Sequence, residues 1–322
     1  MKRITIKDVA ERAGVSISTV SQYLNGRYSY MGEETKKRIG RAVTDLGYRP
    51  NFMARNLKNR STKTIGIIVS NILHHFAVSM TRRIEDYCDD DGYNLIICNA
   101  DDDSEKEEKY INNLLEKQVD GLIIMPTTGN DALYKKLSNQ NFPVVFIDRF
   151  MEGVDIPSFK LDNHHAVTLA YDYLTEQKVE QYCYIGASDA MDLTPRVERL
   201  EQFKKLAPGG RIITDENDEL YNRIEAEFTG NQSNGVLLAN DFALMAFLKY
   251  ANHRGLDLNG ENRIIAVDDL PLAGVYRPGI PTIAQPIEEI AQNAYGQLMG
   301  FIEGEKVESE MVNSFKGELV ER

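Results

Sequence analysis

The sequence predicts a chain in two parts, a small all-α helix-turn-helix headpiece followed by a larger α/β body with parallel sheets. Three observations carry that prediction. The stretch Thr5 to Asn25, TIKDVAERAGVSISTVSQYLN, has the spacing of two short helices joined by a tight turn. From Thr64 onward, short apolar runs alternate with amphipathic segments, as in βαβ units with right-handed crossovers. Charge is divided in the same way. Residues 1–63 hold 14 Lys or Arg against 5 Asp or Glu, a local charge of +9, whereas the remainder holds 23 against 44, or −21. A basic module on an acidic body fits nucleic-acid contact confined to the head.

In the head, Thr5 and Asp8 resemble a capping box, with Asp in place of the usual Glu or Gln. Ile6, Val9, Ala10 and Ala13 then recur at helical spacing. Gly14 sits where a helix ends in the left-handed conformation, and Val15 follows as an apolar plug. Ser16 is placed to cap the second helix, on which Val20 and Leu24 face inward while Ile17, Ser18, Ser21, Gln22 and Asn25 face outward. Small and amide side chains on an outward face suit the major groove of DNA. A helical hairpin of an unrelated all-α domain is the competing reading.

Glu33 to Leu46 forms a third helix with an acidic start, a basic middle and an inner face of Ile39, Ala42, Val43 and Leu46, stopped by Gly47. Asn51 to Leu57, NFMARNL, has the length of two helical turns, too short to hold in water unaided. It is expected to fold only with DNA and a second copy present, with Arg55 and Lys58 facing phosphates and Leu57 wedged into a minor-groove step.

The body reads as strand 65–70, helix 76–91, strand 93–99, helix 105–117, strand 121–125, helix 131–140 and strand 144–148. A second unit follows: helix 163–176, strand 182–185, helix 196–206, strand 236–239, helix 241–254, strand 264–267, TIAQP at 282–286, helix 287–303 and a late strand at 311–315. Asp101 to Glu108, DDDSEKEE, reads as the start of a solvated helix.

TIKDVAERAGVSISTVSQYLNG, EETKKRI, LGYRPN and NFMARNLKNRSTKTIGIIVSN resemble the lactose-repressor (LacI) family of bacterial transcription regulators, over nearly the whole chain. The resemblance implies a headpiece (1–47), a hinge helix (48–62) and a dimerising, periplasmic-binding-protein-like effector domain whose two lobes are joined by three crossovers. The lobes would be 63–161 with 286–313, and 162–285 with 314–322. It also implies base-reading positions at Ile17, Ser18 and Gln22, backbone contacts at Thr5, Ser16, Thr19, Ser21 and Asn25, and a minor-groove lever at Leu57.

Three departures stand out. Many members carry Arg where Gln22 stands, and Arg favours guanine while Gln favours adenine. RYSYMGEET runs one residue longer than is usual between the second and third helices. Pro208 to Gly235 is short and polar, so the family's strand–loop–helix there reads as truncated.

Ligands of open parallel sheets sit at the carboxyl ends of strands, here marked by Ser70, Asn99, Met125 and Asp148. The resemblance implies effector contacts at Phe76, Asp148, Arg149, Arg199, Asn240, Asp268 and Gln285, with Asp241 beside them. Carboxylate, amide and guanidinium groups around an aromatic platform suit a sugar or polyol. Arg149, Arg196 and Arg199, with Lys160 and His74 near, tilt the expectation to a sugar acid or sugar phosphate. The competing reading pairs Arg149 and Arg196 with surface acids.

No GxSxG elbow, P-loop or GxGxxG occurs, so nucleophilic, phosphoryl-transfer and dinucleotide chemistry lack support, and no cofactor or metal is expected. His74-His75 and His164-His165 lack the i, i+4 spacing that places two imidazoles on one helix face. Cys88, Cys98 and Cys183 are scattered, no apolar run approaches the roughly 20 residues of a membrane span, and MKRITIKDVA lacks a signal segment, so a cytoplasmic setting is expected. The expected function is a transcriptional repressor of carbohydrate or sugar-acid utilisation genes. It would read a palindromic operator in double-stranded DNA as a homodimer, under control of a small-molecule effector. The alternative is a solute-binding protein of a transport system.

Overall fold

The computed structural model describes residues 4–29, 31–48, 61–188, 193–216, 219–228, 235–258, 262–305 and 310–322. The stretch 49–60, with Arg55, Leu57 and Lys58, lies outside the described residues. The chain divides into two compact units, one ending at Thr62 and the other beginning at Lys63.

The first unit is built from α1 (Ile6–Ala13), α2 (Ile17–Leu24) and α3 (Glu33–Leu46). Asp8 Oδ2 accepts from the Thr5 N–H at 2.7 Å and from the Thr5 hydroxyl at 2.6 Å, fixing the start of α1. Gly14 ends that helix at φ 62°, and the Val15 N–H then reaches the Ala10 carbonyl at 3.0 Å. That turn delivers Ser16, whose hydroxyl oxygen accepts the Thr19 N–H at 3.2 Å and so caps α2. Val9, Ala10, Ala13, Val20, Ile39 and Ala42 close the core, with Leu24, Val43 and Leu46 half-buried around it.

The second unit holds two parallel sheets. The first contains β1 (Thr64–Val69), β2 (Asn94–Asn99), β3 (Gly121–Ile124), β4 (Val144–Ile147) and β5 (Ser158–Leu161), linked by α4 (His75–Asp90), α5 (Ser104–Glu116) and α6 (Asp131–Asn139). The chain then crosses to α7 (Asn163–Glu176), β6 (Tyr182–Ala187), α8 (Thr194–Leu206), β7 (Arg211–Asp215), α9 (Leu220–Glu227), β8 (Gly235–Leu238), α10 (Asp241–Arg254), β9 (Arg263–Val267), α11 (Pro271–Val275) and β10 (Thr282–Ala284). It returns through α12 (Ile287–Glu303) to β11 (Val312–Phe315) in the first sheet, and crosses a third time to β12 (Glu318–Val320) in the second. Strand orders are β11-β5-β4-β3-β1-β2 and β12-β10-β9-β8-β6-β7, every pairing being parallel except β10 with β12.

Central strands such as β3, β4 and, past Thr64, β1 are apolar because helices cover both faces. In the first lobe α4 and α12 pack one face and α5 and α6 the other. In the second, α9 and α10 oppose α7 and α8.

Three expectations are corrected. Pro208 to Gly235 is not truncated: β7 pairs with β6 from Arg211 to Asp215, and α9 buries Leu220 and Ile224. The signal was weak because β7 is an edge strand with only Ile213 buried. The last crossover falls after 313, since Ser314 and Phe315 still pair with Lys160 and Leu161. Glu107, expected on a solvated helix start, is fully buried. β5 and β12 were not expected, and in β5 a lysine interrupts an otherwise short apolar run.

Candidate functional site

On the head, Ile17 is 48% exposed, and Ser18 and Gln22 are exposed with it on the outer face of α2. Ser18 Oγ is 2.7 Å from Ser16 Oγ, whereas the Gln22 amide makes no protein hydrogen bond among the described residues. Thr5, Ser16 and Asn25 are exposed, and Thr19 and Ser21 half-buried. Ser16 holds one end of α2 as its cap, and Asn25 Nδ2 ties the other by donating to the Ser21 carbonyl at 2.7 Å. The face therefore presents a free amide and an apolar side chain between two fixed backbone ends, with no acid among those residues. Arg55 and Leu57, the remaining expected DNA contacts, lie outside the described residues.

In the second unit, all eight expected effector residues border one cavity between the lobes, a narrow space of about 60 Å³ that is partly open to solvent. The first lobe contributes Phe76, Asp148 and Arg149, with Ser70, His74 and Met125; the second contributes Arg196, Arg199, Asn240, Asp268 and Gln285. Ala77, Leu193 and Pro195 also border it, and as apolar residues outside any motif they carried no sequence signal. Lys160 is not among the lining residues; its Nζ bonds Glu198 at 2.7 and 2.6 Å.

Backbone geometry places the two carboxylates. Asp148 follows β4 at φ 69° and Asp268 follows β9 at φ 82°, left-handed conformations that Asp adopts more readily than most residues. Corresponding strand ends of the two lobes thus each turn an aspartate into the cleft. Asp268 is deeply buried, and burial raises its pKa despite the opposing Arg199 charge and a 2.6 Å hydrogen bond from Gln285 Nε2. Gln285 Oε1 is buried without a hydrogen-bond partner among the described residues, as is Arg149 Nε, which lies 3.6 Å from Asp148 Oδ2. Arg149 donates through Nη1 to the Pro126 carbonyl and through Nη2 to Asp102, both at 2.9 Å. Arg199 donates through Nε to Asn163 Oδ1 at 2.7 Å and through Nη1 to the Ala239 carbonyl at 2.6 Å. Burial, then the like charge of Arg149, lowers the pKa of Arg196.

The lobes are held together over this cavity. His74 Nδ1 meets Asp241 Oδ1 at 2.7 Å, and Asp241 Oδ2 accepts the His75 N–H at 2.7 Å. The His74 ring also stands edge-on to Phe242, with centroids 4.5 Å apart. Burial pushes the Asp241 pKa up, but the His74 interactions and the His75 and Phe242 N–H groups together hold it below the ordinary aspartate value. Phe150 N–H donates to Thr194 Oγ1 at 3.0 Å, and Lys160 of the first sheet pairs with Glu198 of α8. Asn240 caps α10 by accepting the Ala243 N–H at 2.8 Å. Behind the cleft, buried Glu107 accepts from Thr127 N, Thr127 Oγ1, Asn130 Nδ2 and the Tyr134 hydroxyl. It thereby fixes the turn after β3 whose Pro126 carbonyl orients Arg149.

Comparison with known proteins places both units. Residues 5–51 match the family described as bacterial regulatory proteins, lacI family, and residues 65–306 match a periplasmic binding protein domain. The chain is 37% identical over 315 residues to the probable HTH-type transcriptional regulator EndR of Paenibacillus polymyxa, covering 95% of this chain and 93% of that protein. It is 32% identical over 320 residues to the HTH-type transcriptional regulator KdgR of Bacillus subtilis, covering 94% and 92%. Its fold matches the Lac repressor dimer bound to operator and the anti-inducer ONPF, with a TM-score of 0.83 at 23% identity, covering 100% of this chain and 98% of that one. With a helix-turn-helix head and a two-lobed α/β body in one chain, this protein belongs to the lacI family of bacterial transcriptional regulators.

Proposed function

We propose that this regulator is a repressor of sugar-utilisation genes whose cleft binds a small hydroxylated effector. In this reading its head reads a near-palindromic operator in double-stranded DNA as a homodimer. Ile17, Ser18 and Gln22 read bases, Thr5, Ser16, Thr19, Ser21 and Asn25 hold the backbone, and Arg55 and Leu57 act at the minor groove. The observation that carries the effector half is convergence: polar groups from strand ends of both lobes border one cavity that the lobes close over. A ligand there touches both lobes at once, so its affinity depends on their arrangement, and by linkage it shifts that arrangement. A differential affinity of about 3 kcal/mol between two arrangements changes operator affinity by roughly 150-fold.

The test is selection of the full-length protein on random duplex DNA, followed by operator titration with and without candidate effectors. A palindromic consensus, bound by two chains and weakened or strengthened by one small molecule, is the expected result. Enrichment of no palindrome would remove the operator reading, and an effector that binds without altering operator affinity would remove the coupling.

A further inference from the structure

Away from the cleft, the second lobe carries a roomier cavity. It lies at the amino ends of β6 and β7, whose first residues Tyr182 and Arg211 border it, and measures about 480 Å³ against about 60 Å³ in the cleft. Such a volume falls within the roughly 300–1,000 Å³ of small-molecule sites. The cleft lies past the opposite ends of the same sheet, where Asn240 and Asp268 follow β8 and β9. The six residues of β6, at about 3.3 Å each, set the two cavities roughly 20 Å apart.

Two tyrosines form one wall of the outer cavity. Tyr171 of α7 and Tyr182 stack with ring centroids 4.7 Å apart and planes 27° from parallel. Their hydroxyls are occupied: Tyr182 Oη lies 2.8 Å from Thr175 Oγ1, and Tyr171 is hydrogen-bonded to Tyr182. Both residues are half-buried, so what they offer a ligand is ring surface rather than a polar tip. Leu206, at the end of α8, adds apolar surface beside them. Gly209, at φ 85°, carries the chain past the cavity with no side chain to fill it.

The polar part of the lining is balanced. Arg211 supplies N–H donors, Glu180 acceptor oxygens and Gln181 an amide with both. With one base and one acid, the lining among the described residues has no net charge. An anionic ligand would meet Glu180 and a cationic one Arg211, while a purely apolar ligand would cover these groups without pairing them. A neutral sugar answers all of them together. Its C–H face lies on an aromatic ring, and its hydroxyls, each donor and acceptor, pair with guanidinium, carboxylate and amide alike. We infer that the outer cavity is a second small-molecule site, and that it takes a neutral saccharide of one or two rings. The inference is independent of what the cleft binds.

The experiment is isothermal titration of the full-length protein with glucose, galactose, maltose, cellobiose and xylobiose, beside glucose 6-phosphate, glucuronate and the dipeptide glycyltyrosine. At least one neutral saccharide is expected to bind. Glu180→Ala and Arg211→Ala should each weaken it by roughly tenfold, the size of a hydrogen bond to a charged group, and leave the ligand-free melting temperature unchanged. Tyr171→Ala, which removes the platform, should weaken it further, while Tyr171→Phe, which keeps the ring, should bind as the parent does. A saccharide bound equally by the parent, Glu180→Ala and Arg211→Ala sits elsewhere, the cleft included, and the inference falls. It falls also if no neutral saccharide binds, or if the phosphate, the acid or the dipeptide binds through Arg211 or Glu180 more tightly than every neutral sugar.

Discussion

At the scale of single residues, Gln22 and Asp268 hold the most testable chemistry. Gln22 offers an exposed, unengaged amide on α2, suited to the N6 and N7 edge of adenine. Gln22→Arg should move the preferred base at one half-site position from adenine to guanine, with about 1–3 kcal/mol of discrimination. Binding measured on operator pairs differing at that base pair checks it, and an unchanged preference would place Gln22 away from the base edges. Asp268 is the reverse case, a carboxyl whose burial raises its pKa in the fold. A raised folded value means that its contribution to stability is present below the unfolded pKa, near 3.9, and is lost as pH rises through the folded value. Asp268→Asn should therefore raise the effector-free melting temperature, by an amount growing from pH 4 to pH 8. A gain independent of pH would point to packing instead. Asp241, held below its ordinary value, has the opposite sign: its contribution is present above the unfolded pKa and is lost as acid protonates it, loosening its bond to His74.

At the scale of elements, tolerance is set by how closely helices approach the sheets. A Cβ on Gly66 of β1 would lie 2.7 Å from Leu114 Cδ1 and 2.7 Å from Leu122 Cδ2, so these packed leucine side chains would have to shift. Gly66→Ala should cost about 1–3 kcal/mol, read as a lower urea midpoint with an unchanged slope.

Elements with strong periodicity were legible without coordinates. α7, α10 and α12 begin and end at the expected residues, since caps and apolar spacing agree there. β7, α9 and β5 were not: β7 is an edge strand and α9 a short helix, each burying few side chains, while β5 is buried throughout but only four residues long, with Ser158 and Lys160 breaking any apolar run. The cleft was half legible. Its polar residues follow from strand ends and from family likeness. Its apolar lining and the Glu107 cluster depend on which loops the fold brings together, and no spacing within DDDSEKEE distinguishes Glu107 from its solvated neighbours.

At the scale of the whole molecule, connectivity has a practical consequence. The body passes between its lobes three times, near Asp162, Gln285 and Lys316, and three is odd. The strand that starts it, β1, and the strand that ends it, β12, therefore belong to different lobes, with Arg322 anchored beside β10 through Ile280 and Thr282. Spectroscopic labels at exposed Asp90 and Glu321 form a ruler across the cleft. Effector should shift the distance between them, and a ligand that binds without changing it would not act by moving the lobes. With an even number of passages both ends would ride on one lobe, and such a ruler would measure nothing. Here the order in which the chain is threaded makes the opening of the cleft visible from its two ends.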